Sequence, residues 1–354
     1  MIKKKPTSLA KIIKSTIFYL FVTTLGVGIL LPAFFLVSLS FLSTREAYQF
    51  PLPLLPALSA KYSLTFGDRG YLLSVYDDFD DEYQTVLDTA ELEKMSVYMR
   101  SQIGAPYDIP DIEDRIAELE SGTDPVYFKA RKNLLLNYDL FFKVTRDAVP
   151  ALIRSLQIAG MTIVISLSIG GMAGYAFARY VFIGRDALKF SVLFVRMFPG
   201  VAIALPMVII LANMGFYDQP IGLSLVYSVG SIALTVWITA SIFMGIPESL
   251  EEAAQVFGAT KFQAFLKITF PLALPGLAAA AMYAFLGAWN ETVSAIILTQ
   301  FNPTFAVVVY QTLLGAVGHV NLAAAGGLAM AIPSVIFTFF IRRYINQMWG
   351  GVTV

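Results

Sequence analysis

The chain has 354 residues, of which 57% are hydrophobic and only 14% charged, and its 25 basic and 25 acidic residues cancel to zero net charge. Soluble domains carry about a quarter charged residues, so this is a membrane composition. The absence of cysteine excludes disulfides, thiolate zinc sites and thiol catalysis, and a lone histidine, His319, argues against a His-based metal centre or catalysis shared among several histidines.

In chain order, Lys3, Lys4, Lys5, Lys11 and Lys14 flank an apolar run from Ile12 to about Leu42. That run is too long for the apolar region of a signal peptide and lacks a small-x-small cleavage pattern, so it reads as a retained first helix. Roughly 20 apolar residues cross a bilayer as a helix. On that length, six spans are expected near 16–42, 151–178, 190–212, 223–244, 274–299 and 322–341. Loop 179–189 carries Arg179, Arg185 and Lys189, loop 245–273 carries Lys261 and Lys267, and the tail carries Arg342 and Arg343. The alternate loops are nearly free of Lys and Arg: 213–222 has only Asp218, and 300–321 has no charged residue. Basic loops stay in the cytoplasm, which puts both termini inside. The expected fold is an all-α polytopic membrane bundle. Its parts are a cytoplasmic N-terminus and first span (1–42), a helical extracytoplasmic insertion (43–150) and a membrane core (151–354).

Within the insertion, helices are expected near 80–103, 111–121 and 125–146, and no strand-rich module is expected. The insertion either meets a soluble partner or the external mouth, or is a solvated elaboration.

The cytoplasmic loop 245–273 holds a compact rigid unit. Pro247 starts a helix, Glu248, Glu251 and Glu252 occupy the first turns where the helix dipole favours acids, and Ala253 and Ala254 are strong helix formers. Gly258 then permits a sharp break and a close backbone approach. Such a helix between two spans is either a docking element or an ordinary amphipathic surface helix.

The run Glu252-Ala253-Ala254, Gly258-Ala259, Phe265, Ile268, Pro271 and Pro275-Gly276 resembles the coupling signature of ABC importer permeases of type I. Met197-Phe198-Pro199, Leu205-Pro206, Gly215-Phe216-Tyr217-Asp218 and Ile221-Gly222-Leu223 upstream are similar to carbohydrate-importer permeases, as is Trp289-Asn290-Glu291 downstream. The terminal Gly350-Gly351-Val352 resembles the tail of the smaller permease subunit of maltose, maltodextrin or trehalose importers. One position departs: the family usually has Asp before the motif glycine, and here it is Phe257.

The resemblance implies a multi-pass protein of the cytoplasmic membrane with no enzymatic activity. It would pair with a homologous second permease, two ATPase subunits and an extracytoplasmic solute-binding protein. It would bind no cofactor itself, ATP and Mg2+ being held by the ATPases, and no nucleic acid. Glu251, Glu252, Ala253, Ala254, Phe257, Gly258 and Ala259 would couple to the ATPase, and the tail residues Gly350, Gly351 and Val352 would touch it. Loop 300–321, through Gly315, His319 and Asn321, would meet the binding protein, or serve as a plain connector.

Ionisable groups inside spans are costly and face a cavity or a partner. Glu291, expected mid-span in the fifth helix beside Trp289 and Asn290, combines an acid, an amide and an indole that suit a sugar, or forms an interhelical polar clamp. Arg196 within the third span pairs with Glu291 or snorkels. Because Arg196 is the one cation well inside a span, a neutral di- or oligosaccharide is favoured over a phosphorylated solute such as glycerol phosphate. A secondary transporter working alone is the competing class, supported by no convincing internal repeat. A membrane enzyme would need clustered acids or histidines, and Glu291 alone qualifies.

Overall fold

The computed structural model describes residues 9–105, 107–122, 124–145, 147–315 and 319–350. They form two compact units, one of Met1–Lys143 with Gly315–Leu328 and one of Val144–Leu314 with Ala329–Val354. The expected contacts at Gly351 and Val352 lie outside the described residues, and Gly350 ends the last helix.

The first unit opens with α1 (Leu9–Phe41), an apolar helix exposed along its membrane-length stretch. A short α2 (Thr44–Ala47) follows, closed by a reciprocal capping box between Ser43 and Glu46. The insertion is not helical throughout. Strands β1 (Ser59–Gly67), β2 (Gly70–Asp77), β3 (Glu82–Thr89) and β4 (Val126–Arg131) build an antiparallel sheet in the order β3-β2-β1-β4. The helices expected over 80–103 and 125–146 are therefore corrected: each begins as a strand, and helix is confined to α3 (Leu92–Tyr98) with its π-helical turn Met99–Ile103, and to α5 (Leu136–Val144). Only α4 (Ile109–Glu120) matches its expected helix. The overlooked signal is period two in side-chain direction: Tyr62 and Leu64 on β1, Leu73 and Val75 on β2, and Val126 and Ala130 on β4 enter the core, while Ser63 and Ser74 between them turn to the opposite face, where they too are covered. On β3 a bulge opposite Leu73 and Ser74 sends both Val86 and Leu87 to the core, which hides the alternation. Met95, Met99, Ile103, Ile112, Ile116 and Leu119 from the helices complete this core on one sheet face.

In the second unit α6 (Ala148–Arg179) packs on α9 (Pro220–Gly245) and on α12 (Phe270–Trp289), which a π-helical turn Phe265–Thr269 leads into. Between them lie α7 (Arg185–Val195), α8 (Gly200–Asn213), α10 (Ser249–Val256) and α11 (Lys261–Ala264). After α12 come α13 (Val293–Leu298), α14 (Phe305–Leu314) and α15 (Val320–Gly350), the last running on from the first unit.

Among the described residues, five helices are long and apolar enough to cross a bilayer: Ile13–Phe41, Ala148–Arg179, Pro220–Gly245, Lys261–Trp289 and Val320–Tyr344. The expected third span is two helices, α7 and α8, bent by 87° at residues 196–199. Pro199 explains the break, since it lacks an N–H and disfavours helical geometry at Phe198. The expected fifth span likewise ends at Trp289, and residues 290–292 separate it from α13. The chain is thus mostly helical rather than all-α.

Small residues set the α6–α9 contact. A Cβ added at Gly170 would lie 2.8 Å from Thr235 Cβ and 3.1 Å from the Ile232 carbonyl, and one at Gly174 would collide with the Thr239 hydroxyl and sit 2.9 Å from the Ala240 nitrogen. Gly160, on the same helix, has nothing within 4 Å of that position. Gly174→Leu should therefore destabilise the protein by about 1–3 kcal/mol through overpacking. Thermal unfolding in nanodiscs should show a lowered midpoint for Gly174→Leu and an unchanged one for Gly160→Leu.

Candidate functional site

The loop between α9 and α12 folds into a small helical unit whose polar anchor is one carboxylate. Glu251, in the first turns of α10, is buried, with 8% of its surface exposed. Its Oε1 accepts hydrogen bonds from Arg179 Nε at 2.9 Å and Thr269 Oγ1 at 2.7 Å, and its Oε2 accepts one from the Tyr175 hydroxyl at 2.7 Å. Arg179 Nη2 closes the ion pair at 2.8 Å. The same guanidinium donates from Nη1 to the Phe243 carbonyl at 2.8 Å and from Nη2 to the Ile246 carbonyl at 3.1 Å. A cation at the end of α9 satisfies carbonyls that the helix itself leaves open. One acid thus ties α10 to the end of α6, to the end of α9 through Arg179, and to the π-helical turn before α12.

Around this anchor the end of α10 faces outward. Glu252 and Ala253 are exposed, Ala254 and Ala259 half-buried. Val256 and Phe257 are 84% and 91% exposed. Gly258 takes φ +89°, the left-handed conformation that stops the helix, with its N–H donating to the Gln255 carbonyl at 2.9 Å and that of Ala259 to the Ala254 carbonyl at 3.0 Å. Thr260 and Gln263 then cap α11 reciprocally. The coupling set read from sequence is therefore divided. Glu251 points into the protein as an anchor, while Glu252, Ala253, Phe257 and Gly258 are presented at the surface. Val256 and Phe257 thus stand as adjacent exposed apolar side chains on an otherwise polar loop. Tyr175, Arg179 and Thr269 were not legible as partners of Glu251, because they are distant in sequence and no local pattern connects them.

The candidate pathway residues also separate. Trp289 is 2% exposed, donates its indole N–H to the Met330 carbonyl at 2.9 Å and stacks on Phe285 at 5.5 Å, so its ring is a core side chain and offers no face to a solute. Glu291 is not mid-helix. It lies in the break after α12, where its carboxylate accepts from the Ser294 N–H at 3.0 Å, the Ala295 N–H at 3.2 Å and the Tyr227 hydroxyl at 2.9 Å. Free N–H groups at the start of α13 are what draws the acid there. Asn290 is exposed. Arg196, at the α7–α8 bend, lines a cavity of about 360 Å3 together with Glu291, Tyr227, Tyr283 and Ser231. Among the described residues no ion pair joins Arg196 to Glu291. The clamp on Glu291 is therefore Tyr227, which the sequence reading had not singled out.

The expected loop 300–321 contains α14, and its first residues, 300–303, are tied to neighbouring elements. The Asp218 carboxylate accepts N–H groups of Gln300, Phe301 and Asn302 at 3.0, 3.1 and 3.2 Å, and Arg154 donates to the Pro303 carbonyl at 2.7 Å. Gly315 is exposed and His319 half-buried, whereas Asn321 has 0% exposure and hydrogen-bonds Asn137 Oδ1 at 2.9 Å inside the first unit, which removes it from any surface contact.

Burial pushes the Glu251 carboxyl up, but the hydrogen bonds from Thr269, Tyr175 and Arg179 and the Arg179 charge outweigh it and hold its pKa below the ordinary 4.5. A depressed folded pKa means that the stabilisation is present above about pH 4.5 and is lost as pH falls through the lowered value. Glu251→Ala leaves the buried Arg179 with only the exposed Glu248 at 3.9 Å as counter-charge and should cost about 3 kcal/mol. Unfolding measured from pH 7 down to pH 3 should show the wild type converging toward the variant in acid.

The family profile described as "Binding-protein-dependent transport system inner membrane component" matches residues 146–349, more than half of the chain. The trehalose transport system permease protein SugB of Mycobacterium tuberculosis is 36% identical over 206 residues, which cover 57% of this chain and 75% of that protein. The maltodextrin transport system permease protein MalD of Streptococcus pneumoniae is 28% identical over 230 residues, 63% of this chain and 82% of the other. Among solved structures, a bacterial ABC transporter involved in the import of the acidic polysaccharide alginate superposes with a TM-score of 0.60 over 96% of this chain and 99% of that one, at 17% identity, a likeness of fold. This chain therefore belongs to the family of inner membrane components of binding-protein-dependent transport systems: it is a multi-pass permease subunit of the cytoplasmic membrane and not an enzyme.

Proposed function

We propose that this chain is one half of the pore of an ATP-driven importer for a neutral di- or oligosaccharide of the maltodextrin or trehalose kind. It spans the membrane six times with both termini in the cytoplasm. A homologous permease completes the pore, two ATPase subunits with their ATP and Mg2+ sit beneath, and a solute-binding protein delivers the sugar from outside. The observation that carries this reading is the α10–α11 unit: a rigid helical knob, anchored by a buried acid and ending in two exposed apolar side chains. A knob so anchored transmits displacement, because Glu251 ties it to the ends of three membrane-embedded elements. When the ATPase dimer closes, the knob moves and the helices bound to Arg179 and Thr269 move with it, switching the access of the pore. The sugar assignment is supported by the names of the relatives and by the cavity at the α7–α8 bend, with its phenol and hydroxyl groups at Tyr227, Tyr283 and Ser231. Phenols and hydroxyls suit the stacking and hydrogen bonding of a sugar.

Phe257 stands where the family usually has an acid, so the matching ATPase groove should be apolar. Phe257→Asp should lower recovery of the ATPase with a tagged permease about tenfold or more, the loss of a well-buried apolar anchor, while the chain keeps its wild-type unfolding midpoint. Equal recovery of the ATPase would reject the docking role. The cysteine-free chain also suits labelling: single cysteines at Phe257 and Gln300 should react with a membrane-impermeant maleimide from opposite sides of the membrane, and labelling from one side would overturn the topology.

A further inference from the structure

The first unit contains a second cavity, of about 360 Å3, at the end of the sheet where β1 starts and β2 stops. Its polar lining is charge-balanced. Arg45, Lys61 and Lys132 face Glu46, Asp77 and Asp78. Each cation is paired with an acid: Arg45 with Asp77 at 3.7 Å, Lys61 with Asp78 at 3.2 Å, and the buried Lys132 with Glu46. A charged ligand would find no unanswered charge here. A polyhydroxyl ligand would find alternating donors and acceptors of raised strength, since hydrogen bonds to ionised groups are the stronger kind.

The aromatic groups follow the same logic. Tyr76 lines the cavity, and Phe79, 66% exposed, stands among the lining residues. From Tyr76 a run of rings continues over the sheet face opposite the core. Tyr76 meets Tyr83 at 5.1 Å and Tyr83 meets Tyr127 at 5.2 Å, over the small Ser63 and Ser74, and Tyr127 is 61% exposed. Sugar rings present C–H faces to aromatic rings, as paired polar groups meet their hydroxyls. Gln49 adds an amide, donating to Asp77 at 2.7 Å with its carbonyl oxygen left over. Arg45 donates from Nη2 to Gln84 at 2.9 Å and is held beside Asp77, which fixes the acid side of the cavity.

We propose that this cavity and its tyrosine run form a binding site for a neutral oligosaccharide on the insertion, separate from the membrane pathway, with the end sugar in the cavity and following sugars on Tyr83 and Tyr127. It goes beyond the importer reading, and its test needs neither ATPase nor binding protein. The full-length chain in nanodiscs would be titrated with maltotriose, trehalose and, as the charged comparator, a galacturonate trimer, using saturation-transfer NMR and calorimetry. Maltotriose should bind, the galacturonate trimer should bind at least about tenfold more weakly, and Phe79→Ala and Gln49→Ala should each weaken maltotriose about tenfold, the loss of one stacking or polar contact. Hydrogen exchange of the wild type should slow in 45–53 and 73–79 when maltotriose is present, a readout that does not depend on the variants folding. The proposal is overturned if neither neutral sugar binds, if binding ignores both substitutions, if the charged trimer binds better, or if protection appears with anionic phospholipid vesicles and not with sugar. ATP-driven uptake by the assembled complex tests the importer reading separately, so uptake without sugar binding to the nanodisc-held chain rejects this site alone.

Discussion

The second unit depends on one ion pair. Glu251 and Arg179 are each nearly buried, with side-chain exposures of 11% and 7%, and each hydrogen-bonds groups from separate elements. A buried charge pair is seldom a gain in stability over well-packed apolar side chains. Its value here is geometric. An apolar contact would let α10 slide, whereas a carboxylate held by a guanidinium, a phenol and a hydroxyl has one orientation. That stiffness suits the coupling role proposed for α10, in which a force applied at Phe257 would reach α6, α9 and α12 without being absorbed by the loop.

The same principle, polar groups fixing where apolar packing cannot, recurs after α12 and at the start of the 300–302 segment. Glu291 occupies the gap between α12 and α13 and is paired by Tyr227. Asp218 gathers three consecutive N–H groups of the 300–302 segment. Chain breaks leave backbone groups that need partners, most of all where lipid cannot supply them. Glu291 supplies them at the start of α13, and Asp218 does so for the 300–302 segment.

The insertion shows a different economy. Its sheet has one face sealed by α3 and α4 and the other left open, as antiparallel sheets allow. The open face carries tyrosines over serines and is flanked by balanced charge, the composition on which the proposed sugar site rests.

The sequence by itself determined the membrane class, because apolar length and charge asymmetry act through the bilayer and need no partner. It also determined the place of α10, since Glu251 to Gly258 carries its own propensity and stop. Tertiary structure decided the rest. Whether Glu251 faces a partner or the protein interior depends on Tyr175 and Arg179, 76 and 72 residues away, and no local pattern encodes that distance. Trp289 became core and Asn321 became buried for the same reason, their partners lying on other helices. The sheet was missed because a bulge broke its period and because strand pairing, unlike helix formation, is completed only by another strand.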